Sequence, residues 1–296
     1  MVQVQQPTDR RALAAAAITV LLWASAFVVI RVAGQSFSPG ALALGRMIAG
    51  SLTLGAIMLA TGERLPDRAA WRGILVSGVL WFGLYMVALN WGEQLVDAGT
   101  AAMVINIGPV LIALLSGIFL AEGFPPRLFA GMAVSFGGAI VVGVSRSGGG
   151  GSAVLGVVLC LIAAAAWAIS VVVQKPALKY ASPLQVTTFG CVVGMIACLP
   201  FAGQLGAELI SAPLSATLSV IYIGVFPTAL AFTAWAYALS RTEAGRMGVT
   251  TYVVPTLVVL MSWLALGEVP APLTILGGVL CLAGVAVSRS KPRTRS

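Results

Sequence analysis

The chain writes one stretch twice, and that duplication limits the folds open to it more than any other feature. Ala98-Gly99 returns as Ala244-Gly245, Pro109 as Pro255, Glu122 as Glu268, Pro126 as Pro272, Gly131 as Gly277 and Gly138 as Gly284. Each pair lies 146 residues apart (244 minus 98), about half of the 296-residue length. Gly78 with Gly224 and Ala88 with Ala234 keep that spacing. Trp23 with Trp167, Ser38-Pro39 with Ser182-Pro183 and Gly50 with Gly194 lie 144 apart (167 minus 23), so the second copy carries a two-residue insertion. A repeat of this length implies two homologous units. They are read as 1–146 and 153–296, joined by a flexible Gly-rich linker over 147–152.

Hydropathy says where those units live. Hydrophobic residues make up 59% of the chain and charged ones 9%, with mean hydropathy +1.01. A soluble domain carries roughly 25% charged residues, so this composition cannot clothe a water-exposed surface. Ten apolar runs approach the ~20 residues that span a bilayer: about 12–32, 39–60, 73–91, 98–120, 127–145, 154–175, 183–202, 216–239, 246–266 and 271–288. Pro and Gly punctuate their ends, as in Ser38-Pro39, Pro125-Pro126 and Ser182-Pro183. Runs this long in hydrocarbon are helices, because only a helix satisfies its backbone within one segment. The expected fold is therefore an all-α membrane protein of ten transmembrane helices. Arg10-Arg11, an apolar run and Ala24-Ser25-Ala26 imitate a cleavable signal peptide. The run continues to Ile30 and recurs around Trp167, so it reads as an uncleaved first helix.

Basic residues set the orientation. With the N-terminus inside, fourteen of the 17 Lys and Arg fall on the inner side, only Arg31 and Arg146 on the outer, and Arg46 within a helix. Both termini are then cytoplasmic, in a bacterial-type inner membrane. Five helices per unit is an odd number, so the second unit enters from the opposite side. Inverted repeats of this kind suit a carrier with its site at the midplane. The basic pI near 9.9 does not indicate nucleic acid, since the cations sit between apolar runs and form no basic domain.

Candidate site residues are polar or aromatic groups at membrane depth. Trp23 and Trp167 are repeat mates in mid-helix, where an indole N–H needs a partner or a wet cavity; they either pack the core or line a pathway. Trp71, Trp91 and Trp263 lie near helix ends and read as interfacial belt residues. Gly78, Trp81 and Tyr85 share one face of the third run, as packing or as cavity wall. Asn106 and Tyr252 occupy equivalent positions beside Pro109 and Pro255. A mid-helix Pro frees a carbonyl and bends the helix, which makes the two prolines candidate hinges. Asn106 either bonds a neighbouring helix or meets substrate. Trp235 and Tyr237 on the eighth run are weaker candidates. Arg46 is a carboxylate-binding cation or a structural arginine; its repeat mate is Gly190.

Absences narrow the chemistry. There is no His, and Cys160, Cys191, Cys198 and Cys281 all lie in apolar runs without metal spacing, so no metal, cofactor or disulfide framework is expected. The nine acidic residues, Glu93 among them, fall in loops or at helix ends. An interior free of carboxylates suits uncoupled movement of a neutral or zwitterionic solute rather than a proton relay. Neither nucleophile nor acid–base pair is visible at membrane depth, so an enzyme is not expected. The Gly148–Gly151 run lacks the Gly-Lys-Ser/Thr of a phosphate loop. Partners are a small-molecule substrate and lipid, with one chain expected to suffice.

Trp23-Ala24-Ser25-Ala26-Phe27, Arg46 and the Glu122…Gly131…Gly138 ending, repeated as Glu268…Gly277…Gly284, resemble the EamA family of the drug/metabolite transporter superfamily over nearly the whole chain, twice. The aromatic content is similar to that of YddG-type exporters of aromatic and other hydrophobic amino acids. That resemblance implies a central cavity among helices 1, 3, 4, 6, 8 and 9, helices 5 and 10 at the periphery, and Trp167 as the best-matched site position. It implies export of neutral amino acids by alternating access. The rival is a proton-coupled exporter of another metabolite or an amphipathic drug. The first-helix glutamate of small multidrug cation exporters is absent.

Overall fold

The computed structural model describes residues 10–124, 151–268 and 271–289, with residues 130, 131, 133, 134, 137, 138 and 141. The described residues are helical, without strands. Eight helices are long and apolar enough to cross a bilayer: α1 (Arg10–Ala33), α2 (Pro39–Thr61), α3 (Arg68–Leu95), α4 (Ala98–Phe119), α5 (Gly151–Ala177), α6 (Pro183–Ser211), α7 (Leu214–Arg241) and α8 (Ala244–Leu266). A ninth, α9 (Pro272–Arg289), matches the last apolar run. The fifth run, 127–145, and residues 147–150 of the expected linker lie outside the described residues, apart from the helical positions just named. Gly151 and Ser152, assigned to that linker, already belong to α5.

The helix ends follow the punctuation in the sequence. Ser38 and Ser182 sit extended before Pro39 and Pro183, whose fixed φ suits the first helical turn. Ser182 forms a full capping box with Gln185. At the other ends, Gly62 and Gly267 adopt φ of 67° and 66°, a left-handed closure that favours a residue without Cβ. Leu52, Leu59, Ile210 and Leu264 are exposed on the outer surface. So broad an apolar exterior fits lipid, not water.

The repeats interlock. α3 packs on α6, and its counterpart α7 packs on α2. Gly78 and Gly224 sit at equivalent points of those contacts. A Cβ on Gly78 would lie 2.6 Å from Val193, and one on Gly224 2.5 Å from Ala49, so neither backbone could approach with a larger residue. At these glycines both helices change to π-helical turns, over Gly78–Tyr85 and Gly224–Leu230. Pro227 has no N–H to donate in the second, and Thr228 Oγ1 instead donates to the carbonyl of Ile223 at 2.7 Å. Turns of this type often mark functional sites. They went unread in the sequence because a π turn leaves no hydrophobic period of its own.

α4 and α8 run antiparallel. Glu122, just past the end of α4, accepts hydrogen bonds from the backbone N–H groups of Ala244 and Gly245 at the start of α8, at 3.0 and 3.1 Å. Glu268, just past the end of α8, accepts from Ala98 N at the start of α4 at 3.5 Å. This equivalent pair of helices therefore points in opposite directions.

Candidate functional site

Both antiparallel helices break at mid-length. In α4 the helix gives way at Asn106-Ile107 before Pro109; in α8 a tighter turn spans Thr250–Tyr252 before Pro255. Pro255 cannot donate to the carbonyl of Thr251, four residues back. That carbonyl is taken up across the repeat interface, where Asn106 Nδ2 donates to it at 3.2 Å. Asn106 Oδ1 keeps no hydrogen-bond partner among the described residues. The neighbouring Gly108 makes room for an indole: a Cβ there would fall 2.4 Å from the Trp167 ring.

A small cavity of about 30 Å³ opens beside these breaks. Its wall holds Trp23, Arg46, Trp81, Tyr85, Asn106 and Trp167 from the residues singled out in the sequence, with Ala26, Phe27, Leu89, Ala102, Ile105, Phe232, Thr251 and Val254. Trp23 and Trp167, the repeat mates, meet edge to face at 6.1 Å. Trp23 also lies 6.0 Å from Trp81, 5.3 Å from Phe232 and 5.0 Å from Trp235. Edge-to-face and tilted ring pairs add roughly 0.5–1.5 kcal/mol each beyond burial, so this cluster is a firm wall. A space of this size holds on the order of two waters. It is too small for a solute the size of an amino acid.

The other candidates lie elsewhere. Trp235 is fully buried behind the cavity wall, packed on Trp23, Trp81 and Trp167. Tyr252 packs against Val110 and Ala113 of α4. Tyr237 faces away, stacked under the Arg241 guanidinium at 3.7 Å. Pro109 and Pro255 both stand in the first turn of the second segment of their broken helices. Phe232, Thr251 and Thr228 were missed, being ordinary residues of an apolar run.

Two polar groups change the sequence reading. Arg46 is 2% exposed, and its Nε donates to Thr228 Oγ1 at 2.6 Å. Its Nη1 faces no acceptor among the described residues. Glu93 stands at a helix end, where the sequence reading put it, but is buried there, which that reading did not foresee. It lies in the last turn of α3 with 0% exposure, and neither carboxylate oxygen has a hydrogen-bond partner among the described residues. Trp81, Tyr85 and Leu89, spaced every four residues, line the cavity, and Glu93 follows Leu89 by four more without being part of that lining.

Each end of the α4–α8 pair is tied by the same three parts. At one end, Arg31 of α1 donates Nη1 to the Glu93 carbonyl at 2.7 Å and pairs through Nε with Glu268 at 2.7 Å. At the other, Lys175 of α5 donates to the carbonyls of Leu239 and Thr242, with Glu122 within electrostatic reach. Arg31 and Lys175, Glu93 and Leu239, and Glu268 and Glu122 are repeat mates. Each of these two latches sets a cation of one repeat near the carboxylate of the other, as an ion pair for Arg31 and Glu268 and within electrostatic reach for Lys175 and Glu122.

The sequence matches the EamA-like transporter family twice, over residues 10–144 and 154–290. The chain belongs to that family. A probable terminal-alkyne amino-acid exporter of Streptantibioticus cattleyicolor is 34% identical over 275 residues, covering 93% of this chain and 92% of that protein. An uncharacterized transporter of Bacillus subtilis, YdfC, is 35% identical, covering 91% and 88%. A probable amino-acid metabolite efflux pump of Escherichia coli is 24% identical, covering 92% and 93%. A crystal structure at 22% identity superposes with a TM-score of 0.67, covering 93% of this chain and 95% of that one, a likeness of fold. This EamA-like protein is thus a multi-pass membrane transporter with bacterial relatives, and its role is carriage of a small molecule rather than catalysis.

Proposed function

We propose that this EamA-like transporter exports neutral aromatic or hydrophobic amino acids, or close metabolites, by alternating access across a bacterial inner membrane. The observation that carries the reading is the cavity at the helix breaks. Tryptophan and phenylalanine rings form its walls, and a few polar atoms without partners among the described residues suit an amino acid's backbone groups. Concave, mostly apolar sites with a few placed polar groups bind small molecules of this kind. The names of the Streptantibioticus and Escherichia relatives support the substrate class. The two latches support the cycle: opening one while the other holds would expose the cavity to one face at a time. The count of basic residues supports cytoplasmic termini, with the Glu122 latch on the inner face and the Glu268 latch on the outer.

Reconstitution into liposomes with a panel of labelled amino acids tests this. Phenylalanine, tryptophan and leucine should move faster than aspartate and lysine. Preferential movement of charged amino acids, or of amphipathic cations alone, would overturn it.

Glu93 favours a second reading in which substrate exchanges for a proton. The charged and titratable groups around this buried carboxylate are Arg31, Arg46, Glu268, Tyr85 and Cys160. An imposed pH gradient should then drive accumulation of a neutral amino acid, and Glu93→Gln should abolish it. No accumulation returns the protein to uncoupled movement.

A further inference from the structure

The polar atoms without partners around the cavity are not evenly divided between donors and acceptors. Arg46 Nη1, Trp23 Nε1 and Trp167 Nε1 are donors; Asn106 Oδ1 is the acceptor among the lining residues that have no partner. All four belong to side chains lining one space. A buried guanidinium costs free energy unless its N–H groups are bonded and its charge is balanced. Arg46 meets that condition only in part, through Thr228 at 2.6 Å on one nitrogen. Thr228 is itself tied to the Ile223 carbonyl at 2.7 Å, so the guanidinium is held in place by Nε while Nη1 is left for something else. A structural arginine would spend its donors on carbonyls of neighbouring helices, as Arg31 and Lys175 do at the two ends.

We propose that Arg46 is the carboxylate anchor of the transport site, with the indole N–H groups of Trp23 and Trp167 as its co-donors. Asn106 Oδ1 then receives the α-ammonium, and the substrate is defined by a free carboxylate on an apolar body. This deepens the amino-acid reading above and rests on it. Glu93 is a carboxylate within electrostatic reach of Arg46 but forms no ion pair with it among the described residues. A guanidinium donates to a carboxylate through charge-assisted bonds, and their loss costs about ten- to a hundredfold in affinity. The repeat mate of Arg46 is Gly190, so the anchor is single and a substrate binds in one orientation.

The test compares three ligands on the full chain in detergent and in liposomes: L-phenylalanine, its primary amide, and phenethylamine, which lacks the carboxylate. Binding is read from tryptophan fluorescence, since Trp23, Trp81 and Trp167 line the site; transport is read as flux. The wild type should bind phenylalanine at least tenfold more tightly than either analogue. Arg46→Gln should erase that preference by weakening the acid alone. Arg46→Lys, which keeps a point charge, should retain part of it, and carries the comparison if the glutamine variant does not fold. If the acid and its amide bind the wild type equally, or if Arg46→Gln weakens both to the same degree, the anchor is refuted. Discrimination in binding without any amino-acid flux would refute the transport reading and leave the anchor standing.

Discussion

Neutralising Glu122 should unlatch one face of the transporter. Its carboxylate takes two backbone N–H bonds, from Ala244 at 3.0 Å and Gly245 at 3.1 Å, at the start of α8. A hydrogen bond to a charged group contributes about 1.5–3 kcal/mol, and a negative charge at a helix N-terminus adds about 0.3–1 kcal/mol. Glu122 is half-buried, so screening removes part of this. Gln keeps one acceptor and loses the charge, which leaves a net loss of roughly 2 kcal/mol. At 1.4 kcal/mol per factor of ten, the closed state at that face weakens about thirtyfold against the open one. Glu268→Gln should do the same at the opposite face, by a smaller factor, because its contact to Ala98 is longer and its pair with Arg31 is about a quarter exposed.

The assay is thiol labelling. Ala102→Cys, in a background without the four native cysteines, puts a thiol in the cavity wall. A membrane-impermeant maleimide is then applied to vesicles of either orientation. Glu122→Gln should raise labelling from the inner face and lower it from the outer; Glu268→Gln should do the reverse. If both substitutions shift labelling the same way, the carboxylates brace the fold and do not gate it.

Three further outcomes follow from the geometry. Trp167→Phe keeps most of the ring volume and removes the indole N–H, so the KM for phenylalanine should rise about three- to tenfold at unchanged folded yield; an unchanged KM would remove this N–H from the site. Gly108→Ala places a methyl 2.4 Å from the Trp167 ring and should cut flux strongly while leaving the thermal midpoint within a few degrees, readable by transport and scanning fluorimetry together. Asn106→Leu strands the Thr251 carbonyl that Pro255 has freed, and should destabilise the protein by about 1–3 kcal/mol as well as weaken substrate binding; a neutral effect on stability would mean the carbonyl finds another donor.

Much of the helical frame could be read from residues alone, since runs of apolar length, Ser-Pro starts and glycine ends are local signals. Asn106 and the two prolines were legible for the same reason: polarity and a missing N–H at membrane depth are costly wherever they occur. Which carbonyl Asn106 takes was not legible, because it lies in the other repeat. Glu93 stands at the helix end expected for it, but its burial was not foreseen. Its four-residue spacing from the cavity residue Leu89 was the one local signal that it lies toward the packed side of α3. The π turns and the role of Thr228 depend on inter-helix contacts that no single-helix pattern encodes.

The pattern of kept and lost symmetry separates the two tasks of the molecule. The latch parts survive in both repeats: Arg31 with Lys175, Glu268 with Glu122, and a backbone carbonyl at position 93 with one at 239. Apart from the Trp23–Trp167 pair, the polar and aromatic cavity parts singled out in the sequence do not, since Arg46 faces Gly190 across the repeat relation, Asn106 faces Tyr252, Trp81 faces Pro227 and Tyr85 faces Ala231. A carrier that exposes one site alternately to two sides needs closures of similar free energy at both, or it would rest in one state. Duplication supplies that balance directly. The site has the opposite need, because the proposed amino-acid substrate has unlike ends and a twofold-symmetric pocket would offer each end the same partners. Divergence at the centre with retention at the rims is the arrangement these two demands select together.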